Sequence, residues 1–147
     1  MRLSTKGRYG VRAMVDLTLY YGQGPILLKD IAKRQEISKK YLESIITSLK
    51  IAGLVKSIRG PHGGYILAKP PAQIKLNQII KVLEGSIAPA ECVDDPGCCS
   101  RIEICLTRCI WKEIKRSMDE ILESISLEDL VKQGKRKKQD KNIIYNI

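Results

Sequence analysis

Residues 27–69 read "LLKDIAKRQEISKKYLESIITSLKIAGLVKSIRGPHGGYILAK", and this stretch limits the fold more than any other. Leu28, Ile31 and Ala32 fall on one face of a short helix, and Leu42, Ile45, Ile46 and Leu49 on one face of a second. Only "EIS" separates the two. Ser38 is placed to cap the second helix, and Gly53 to end it in a left-handed residue. Two helices joined by so short a polar turn predict a helix-turn-helix. "LVKSIR" and "YILAK" then have strand character around the turn-formers of "GPHGG", which predicts a hairpin over residues 54–69. A helix-turn-helix followed at once by a basic hairpin is a winged helix-turn-helix. The "GPHGG" glycines read either as turn punctuation or as a wing tip slim enough to enter a groove.

Elements on either side extend this frame. Gly10, Ala13, Met14, Leu17, Tyr20 and Tyr21 recur at helical spacing, so a first helix is expected over about Thr5–Tyr21, ended by "GQGP". After "KPPAQ", the run "LNQIIKVLEG" predicts a short helix carrying Leu76, Ile79, Ile80 and Leu83. A turn-rich loop follows, and from about Thr107 a long helix places Trp111, Ile114, Met118, Ile121 and Ile125 on a heptad-like seam. A seam of this kind more often packs within its own domain. Here a winged helix of roughly seventy residues can close its own core, which leaves a second copy of the chain as the seam's partner. "SLEDLVK" reads as a brief helical turn with Ser126 and Asp129 in a capping-box arrangement, and "GKRKKQDKN" as a disordered end. The fold class expected is mainly α with a small β-hairpin wing. Its parts are a winged helix-turn-helix domain over 1–75, a loop and long C-terminal dimerisation helix over 76–131, and a disordered basic tail over 132–147.

Charge points to the partner of the first part. The net charge is +10, unevenly spread: residues 1–70 carry 13 Lys and Arg against 4 Asp and Glu, a net +9, while residues 71–132 carry 8 against 11, a net −3. Residues 133–147 return to +4, with 5 against 1. Lysine and arginine that neutralise phosphates release condensed counterions, so the basic first half suits a polyanion. In a helix-turn-helix the start of the second helix enters the major groove. That places Ser38, Lys39, Lys40, Tyr41, Glu43 and Ser44 near the bases. The lysines suit phosphate or guanine contacts. Glu43 suits the cytosine amino group, or pairs with a nearby lysine. Arg59 at the wing's entry and His62 at its tip would reach the minor groove. Read singly, Ser38 is also a cap, the lysines a solvated face and Tyr41 half-buried core.

All five cysteines lie within residues 92–109, "CVDDPGCCSRIEICLTRC". No stretch of the chain reads as a signal peptide or membrane span, so a reducing cytoplasm and no membrane partner are expected, where such a cluster is a metal or redox site before it is a disulfide framework. Thiolates are soft ligands suited to iron–sulfur units, whereas structural zinc sites usually show C-x2-C pairs, absent here. The vicinal Cys98 and Cys99 would form a strained disulfide, and no nucleotide-binding fingerprint is present, so an enzyme is not expected.

Taken together, "MRLSTKGRYGVRAM", "ISKKYLESIITSLKIAGLVKSIRGPHGGY" and "ECVDDPGCCSRIEICLTRCIW" resemble the IscR-like family of winged-helix transcription regulators over nearly all of residues 1–131. The resemblance implies a homodimer joined through the long helix, a palindromic or near-palindromic promoter site on double-stranded DNA, and an iron–sulfur cluster, 2Fe–2S rather than 4Fe–4S. It implies Cys92, Cys99 and Cys105 as ligands, with Cys98 the alternative to Cys99. Where some members present a histidine this chain has Arg108, which cannot ligate. Cys109 either completes a four-cysteine site or packs as a small apolar residue. An acidic ligand from the partner's first helix is disfavoured because position 8 is Arg8. The function expected is a dimeric sequence-specific transcription regulator, a repressor, with DNA affinity set by the cluster. The alternatives are a cluster-free regulator sensing through thiols or a partner protein, and a thiol redox enzyme.

Overall fold

The computed structural model describes residues 2–145. Along the chain come α1 (Thr5–Leu19), α2 (Leu28–Gln35), α3 (Lys39–Ile51), β1 (Val55–Ile58), β2 (Gly64–Leu67), α4 (Leu76–Glu84), α5 (Arg108–Ser124) and α6 (Leu127–Tyr145). Capping explains several of the boundaries. The Ser4 hydroxyl accepts from the Gly7 amide at the start of α1, and the Ser38 hydroxyl accepts from Tyr41 N at the start of α3 (3.2 Å), each removing an orphan donor. Gly53, at φ 77°, follows the end of α3 as expected. β1 and β2 form a two-stranded antiparallel hairpin, with Val55 opposite Leu67 and Ile58 opposite Gly64. Its loop end is tied to the segment after α1, because Ile26 and Tyr65, one pair in from the loop, exchange backbone hydrogen bonds of 3.0 and 2.8 Å.

The α3 stripe is the centre of the core: Leu42, Ile45, Ile46 and Leu49 are fully buried, packed with Ala13, Met14 and Leu17 of α1 and Ile31 of α2. This core does not stop at residue 75. Ile79 and Leu83 of α4 and Leu127 of α6 are buried in the same cluster. α4 and α1 approach so closely that side chains at Gly7 and Gly10 would collide with Glu84 and Leu83. The Glu84 carboxylate occupies the space beside Gly7 and accepts from both the amide and the hydroxyl of Ser4.

A buried acid holds α2 in place. Asp16 is 1% exposed; Arg34 donates to it through Nε (3.0 Å) and Nη2 (2.7 Å), and Gln35 Nε2 adds a third bond (3.0 Å). The Arg34 guanidinium also lies over the Tyr20 ring, 4.4 Å from its centroid, and Arg12 donates to the Gln35 carbonyl and side chain. Two turns of α1 thus grip the last turn of α2. The turn that follows begins at Glu36, held at φ 56° and ψ 45°, and leads directly into Ser38 and α3.

Ser126 and Asp129 form the expected capping box: Asp129 N donates to the Ser126 hydroxyl (3.1 Å) and Ser126 N to the Asp129 carboxylate (2.8 Å). The helix behind it is longer than "SLEDLVK". In place of the disordered tail expected over 132–147, α6 runs on to Tyr145, and residues 146–147 of that expectation lie outside the described residues. The sequence after Ser126 contains no proline, and its lysines, arginine and glutamines are good helix formers, so one glycine, Gly134, is too little to stop it.

The box carries a pH dependence. Bonds from the Ser126 backbone and then its hydroxyl hold the Asp129 carboxyl below the usual carboxylate range. A depressed folded-state value contributes stability above the unfolded value and loses it as pH falls through the folded one. Asp129→Asn is therefore expected to unfold more readily than wild type near neutrality, with the difference closing below about pH 4. Thermal melts of both proteins across pH 3–7 check this, and a gap that stays constant with pH would contradict it.

Candidate DNA interface and cysteine loop

The helix-turn-helix presents its candidate residues outward. Ser38, Lys39, Lys40, Glu43 and Ser44 are all exposed at the start of α3. The Ser38 hydroxyl is occupied as a cap, and the Ser44 hydroxyl donates to the Tyr41 carbonyl (2.8 Å). Neither lysine, nor Glu43, has an ion-pair partner among the described residues. The sequence left Glu43 open between a base contact and a lysine partner; here no lysine engages it. Tyr41 differs from its neighbours. It is half-buried and meets the Tyr9 ring edge-on (centroids 6.0 Å, 71°), a packing contact between α3 and α1.

Arg59 and His62 are exposed on the loop that joins β1 to β2. The loop's geometry depends on its glycines more strictly than turn statistics imply. A side chain at Gly63 would strike the backbone carbonyl of Ile58, and one at Gly64, whose φ is 148°, would lie 2.5 Å from the carbonyl oxygen of Ile26. The wing therefore closes on backbone, with α3 and the hairpin projecting from one core.

The cysteine loop spans the gap between α4 and α5 and contains two single helical turns, Glu91–Val93 and Pro96–Cys98. All five thiols are free; Cys92 and Cys99 are half-buried, and Cys98, Cys105 and Cys109 are exposed. Arg108, the first residue of α5, donates through Nε to the Cys92 carbonyl (3.1 Å). The residue that cannot ligate thus fastens the loop to the long helix. α5 begins after Cys105, so Cys105 and Cys109 do not share a helical face, and the Cys109 thiol donates to the Leu106 carbonyl (3.3 Å).

The loop sorts its thiols electrically. The Thr107 hydroxyl, then the Thr107 and Arg108 amides at the start of α5, pull the Cys105 thiol down toward its thiolate. Desolvation, followed by the charges of Glu91 and Asp95, pushes the Cys98 thiol up. Free thiols, one of them held below the usual thiol range, are a donor set that fits an iron–sulfur unit. Among the described residues, however, no three Cys, His, Asp or Glu side chains converge as a metal site, so the sequence-expected ligands are near in sequence and in one loop but are not gathered around a point. Sequence reading also missed Asp16, Arg34 and Arg12, which fasten the last turn of α2 to α1.

α5 has an apolar side and no buried residue. Ile110 and Ile121 are 51% and 59% exposed, with Trp111, Ile114 and Met118 half-buried beside them. Among the described residues no helix is long and apolar enough to cross a membrane.

Comparison with known proteins agrees with this geometry. The family described as Rrf2, iron-dependent transcriptional regulator, matches residues 3–133. The HTH-type transcriptional regulator IscR of Xenorhabdus nematophila is 42% identical over 132 residues, covering 90% of this chain and 80% of that protein. The solved structure of T. potens IscR superposes with a TM-score of 0.76 at 46% identity, covering 91% of this chain and 88% of that one. The structure of CymR, the global cysteine regulator of B. subtilis, superposes equally well, with a TM-score of 0.76 at 42% identity over 90% of this chain and 98% of that one. IscR of X. nematophila and CymR are named as regulators, and none of the three relatives as an enzyme.

Proposed function

Since this chain belongs to the Rrf2 family of transcriptional regulators and is a winged-helix DNA-binding regulator, we propose that it is a cytoplasmic dimeric repressor whose hold on a palindromic promoter site is set by an iron–sulfur cluster on its cysteine loop. The observation that carries this reading is the connection of loop to helix. Cys92, Cys99 or Cys98, Cys105 and Cys109 all lie within one loop and the first turn of α5, and Arg108 ties the loop's first cysteine to that turn. Cys92, Cys99 and Cys105 would hold the cluster, with Cys109 as fourth ligand and Cys98 as the alternative middle one. When bound, the group supplies a redox- and oxygen-sensitive charge at the head of α5.

The chain's own residues do the rest. The apolar side of α5, left without a buried residue, is the surface for a second copy, and an antiparallel or crossed pair of such helices fixes the distance between two winged helices. Half-sites on one face of DNA lie about 34 Å apart, so a change in the loop that shifts the head of α5 alters whether both α3 helices reach their grooves together. Lys39 and Lys40 would neutralise phosphates, Arg59 and His62 would follow the minor groove, and Glu43 would read a base.

Glu43→Ala is expected to relax preference at one base pair of the site by about 1–3 kcal/mol while affinity for mixed-sequence DNA holds or rises, because a carboxylate beside phosphates has been removed. Binding measured on a set of single-base site variants checks this; uniform weakening across all of them would contradict a base-reading role.

A second reading has its own support. The likeness to the cysteine regulator CymR is as good in fold as the likeness to IscR, and a loop whose thiols do not converge suits direct thiol sensing. Visible absorption with iron and sulfide content of anaerobically purified protein separates the two. Bound iron and sulfide that are lost in Cys92→Ser and Cys105→Ser support the cluster; colourless protein after anaerobic reconstitution supports thiol sensing.

A further inference from the structure

α6 is 19 residues long, roughly 28 Å at about 1.5 Å per residue. Among its described side chains, only those of the first turn belong to the core. Leu127 is fully buried, its amide donates to the Ile74 carbonyl (3.0 Å), and Leu76 N donates to the Ile125 carbonyl (2.9 Å). Leu130 packs against the same cluster. The helix therefore leaves the DNA-binding core in a direction that the core itself fixes.

Beyond that anchor the helix has little to hold it. Residues 132–142 are all exposed and include no apolar side chain. Lys132 pairs with Glu128 (3.3 Å), but Lys135, Arg136, Lys137, Lys138 and Lys141 have no ion-pair partner among the described residues. Within this stretch cations stand three and four residues apart, as at 135 and 138 or 137 and 141, where like charges repel along a helix. A glycine in the helix interior weakens it further. A helical stretch that is polar all round and short of internal pairs is not stable by itself, so residues 132–142 want a partner outside the helix. Five unpaired cations against the single carboxylate of Asp140, on a helix anchored only at its first turn, call for a polyanion. The lack of an apolar face over 132–142 argues against a lipid surface, which such a helix enters apolar side first.

We propose that residues 135–141 of α6 are a sequence-independent contact to the phosphates of duplex DNA beside the site read by α3 and the wing. The proposal rests on the reading of this chain as a DNA-binding regulator and adds a contact outside the winged helix. Its occupant is the duplex already bound by the same core, and its contribution is counterion release.

The test uses the full chain and a mixed-sequence duplex of about 60 base pairs, a length that spans several helical turns. Wild type is compared with a variant in which Lys135, Arg136, Lys137, Lys138 and Lys141 are all changed to Gln, and with Lys39→Gln/Lys40→Gln. The α6 variant is expected to bind at least tenfold more weakly near 100 mM salt, with the slope of log affinity against log salt reduced by about 0.9 for each phosphate that α6 no longer neutralises. Hydrogen exchange in the wild-type chain is expected to slow over residues 135–141 when the duplex is added. An unchanged salt slope in the α6 variant, or unchanged exchange over 135–141 while α3 becomes protected, would overturn the proposal and leave the DNA-binding reading standing. Failure of wild type to bind any duplex would overturn both. Protection of 135–141 by vesicles containing phosphatidylserine, with none from the duplex, would overturn the proposal in favour of a membrane.

Discussion

Arg34→Met is expected to lower the free energy of unfolding by about 2–4 kcal/mol, the range for breaking a buried ion pair from one side, taken toward its lower end. The loss comes from the partner left behind. Asp16 is 1% exposed and takes two of its three side-chain hydrogen bonds from Arg34, so the variant strands a carboxylate in the core with Gln35 as its remaining donor. The partial exposure of Arg34, 35% of its side chain, is what moves the expectation below the upper limit. Because α1 grips α2 through this pair, the variant is also expected to lose DNA affinity beyond its loss of folded protein. Asp16→Leu/Arg34→Met should recover much of the stability, since a buried pair replaced on both sides by apolar groups costs far less than a pair broken from one side. Chemical denaturation of the three proteins checks this, and a loss below about 1 kcal/mol for Arg34→Met would show the pair to be solvated.

Gly64→Ala is expected to act on function more than on folding. The new Cβ would stand 2.5, 2.7 and 2.9 Å from the O, C and N atoms of Ile26. Backbone cannot swing aside as a side chain can, and φ at Gly64 is 148°, a conformation that residues with a Cβ rarely adopt. Relief requires the wing to separate from Ile26, breaking the two hydrogen bonds between Ile26 and Tyr65. Ile26 and Tyr65 pack only on the edge of the core beneath, whose fully buried residues on α1, α3 and α4 make no hydrogen bond to that contact. DNA affinity is expected to fall by on the order of tenfold or more, at least about 1.4 kcal/mol, while the melting temperature moves by only a few degrees. Gly60→Ala is the control: Gly60 is also at positive φ, 116°, but has open space around it, so it carries the backbone strain without the collision. Equal losses in the two variants would contradict a role for close approach at Gly64.

Much of the DNA-binding unit is legible in the sequence because its signals are local. The spacing of Leu42, Ile45, Ile46 and Leu49, the cap at Ser38 and the turn residues of "GPHGG" each act within a few residues, and the structure shows each where the spacing predicts it. Asp16 left a signal too, since with Ala13, Leu17 and Tyr20 it falls on the buried stripe of α1 at steps of three and four. A charge in that stripe demands a partner, but nothing in the sequence says that the partner is Arg34, 18 residues on. The enrolment of Leu83 and Leu127 in the same core is equally a matter of tertiary packing. The basic end misled for another reason: its composition resembles a disordered segment, while the absence of proline and the capping box at Ser126 allow the helix to continue. For the cysteine loop, residue types identified the candidate ligands, but the loop's backbone is set by turns and by Arg108, and spacing alone does not say which thiols converge.

The state of the cysteine loop is expected to set DNA affinity. The most direct measurement is the affinity of one protein preparation for one promoter duplex, taken before and after anaerobic reconstitution with iron and sulfide. A change of tenfold or more, equivalent to about 1.4 kcal/mol of coupling, that disappears in Cys92→Ser and Cys105→Ser is the result expected. Equal affinity in both states would contradict the account and leave a winged-helix regulator whose signal enters elsewhere.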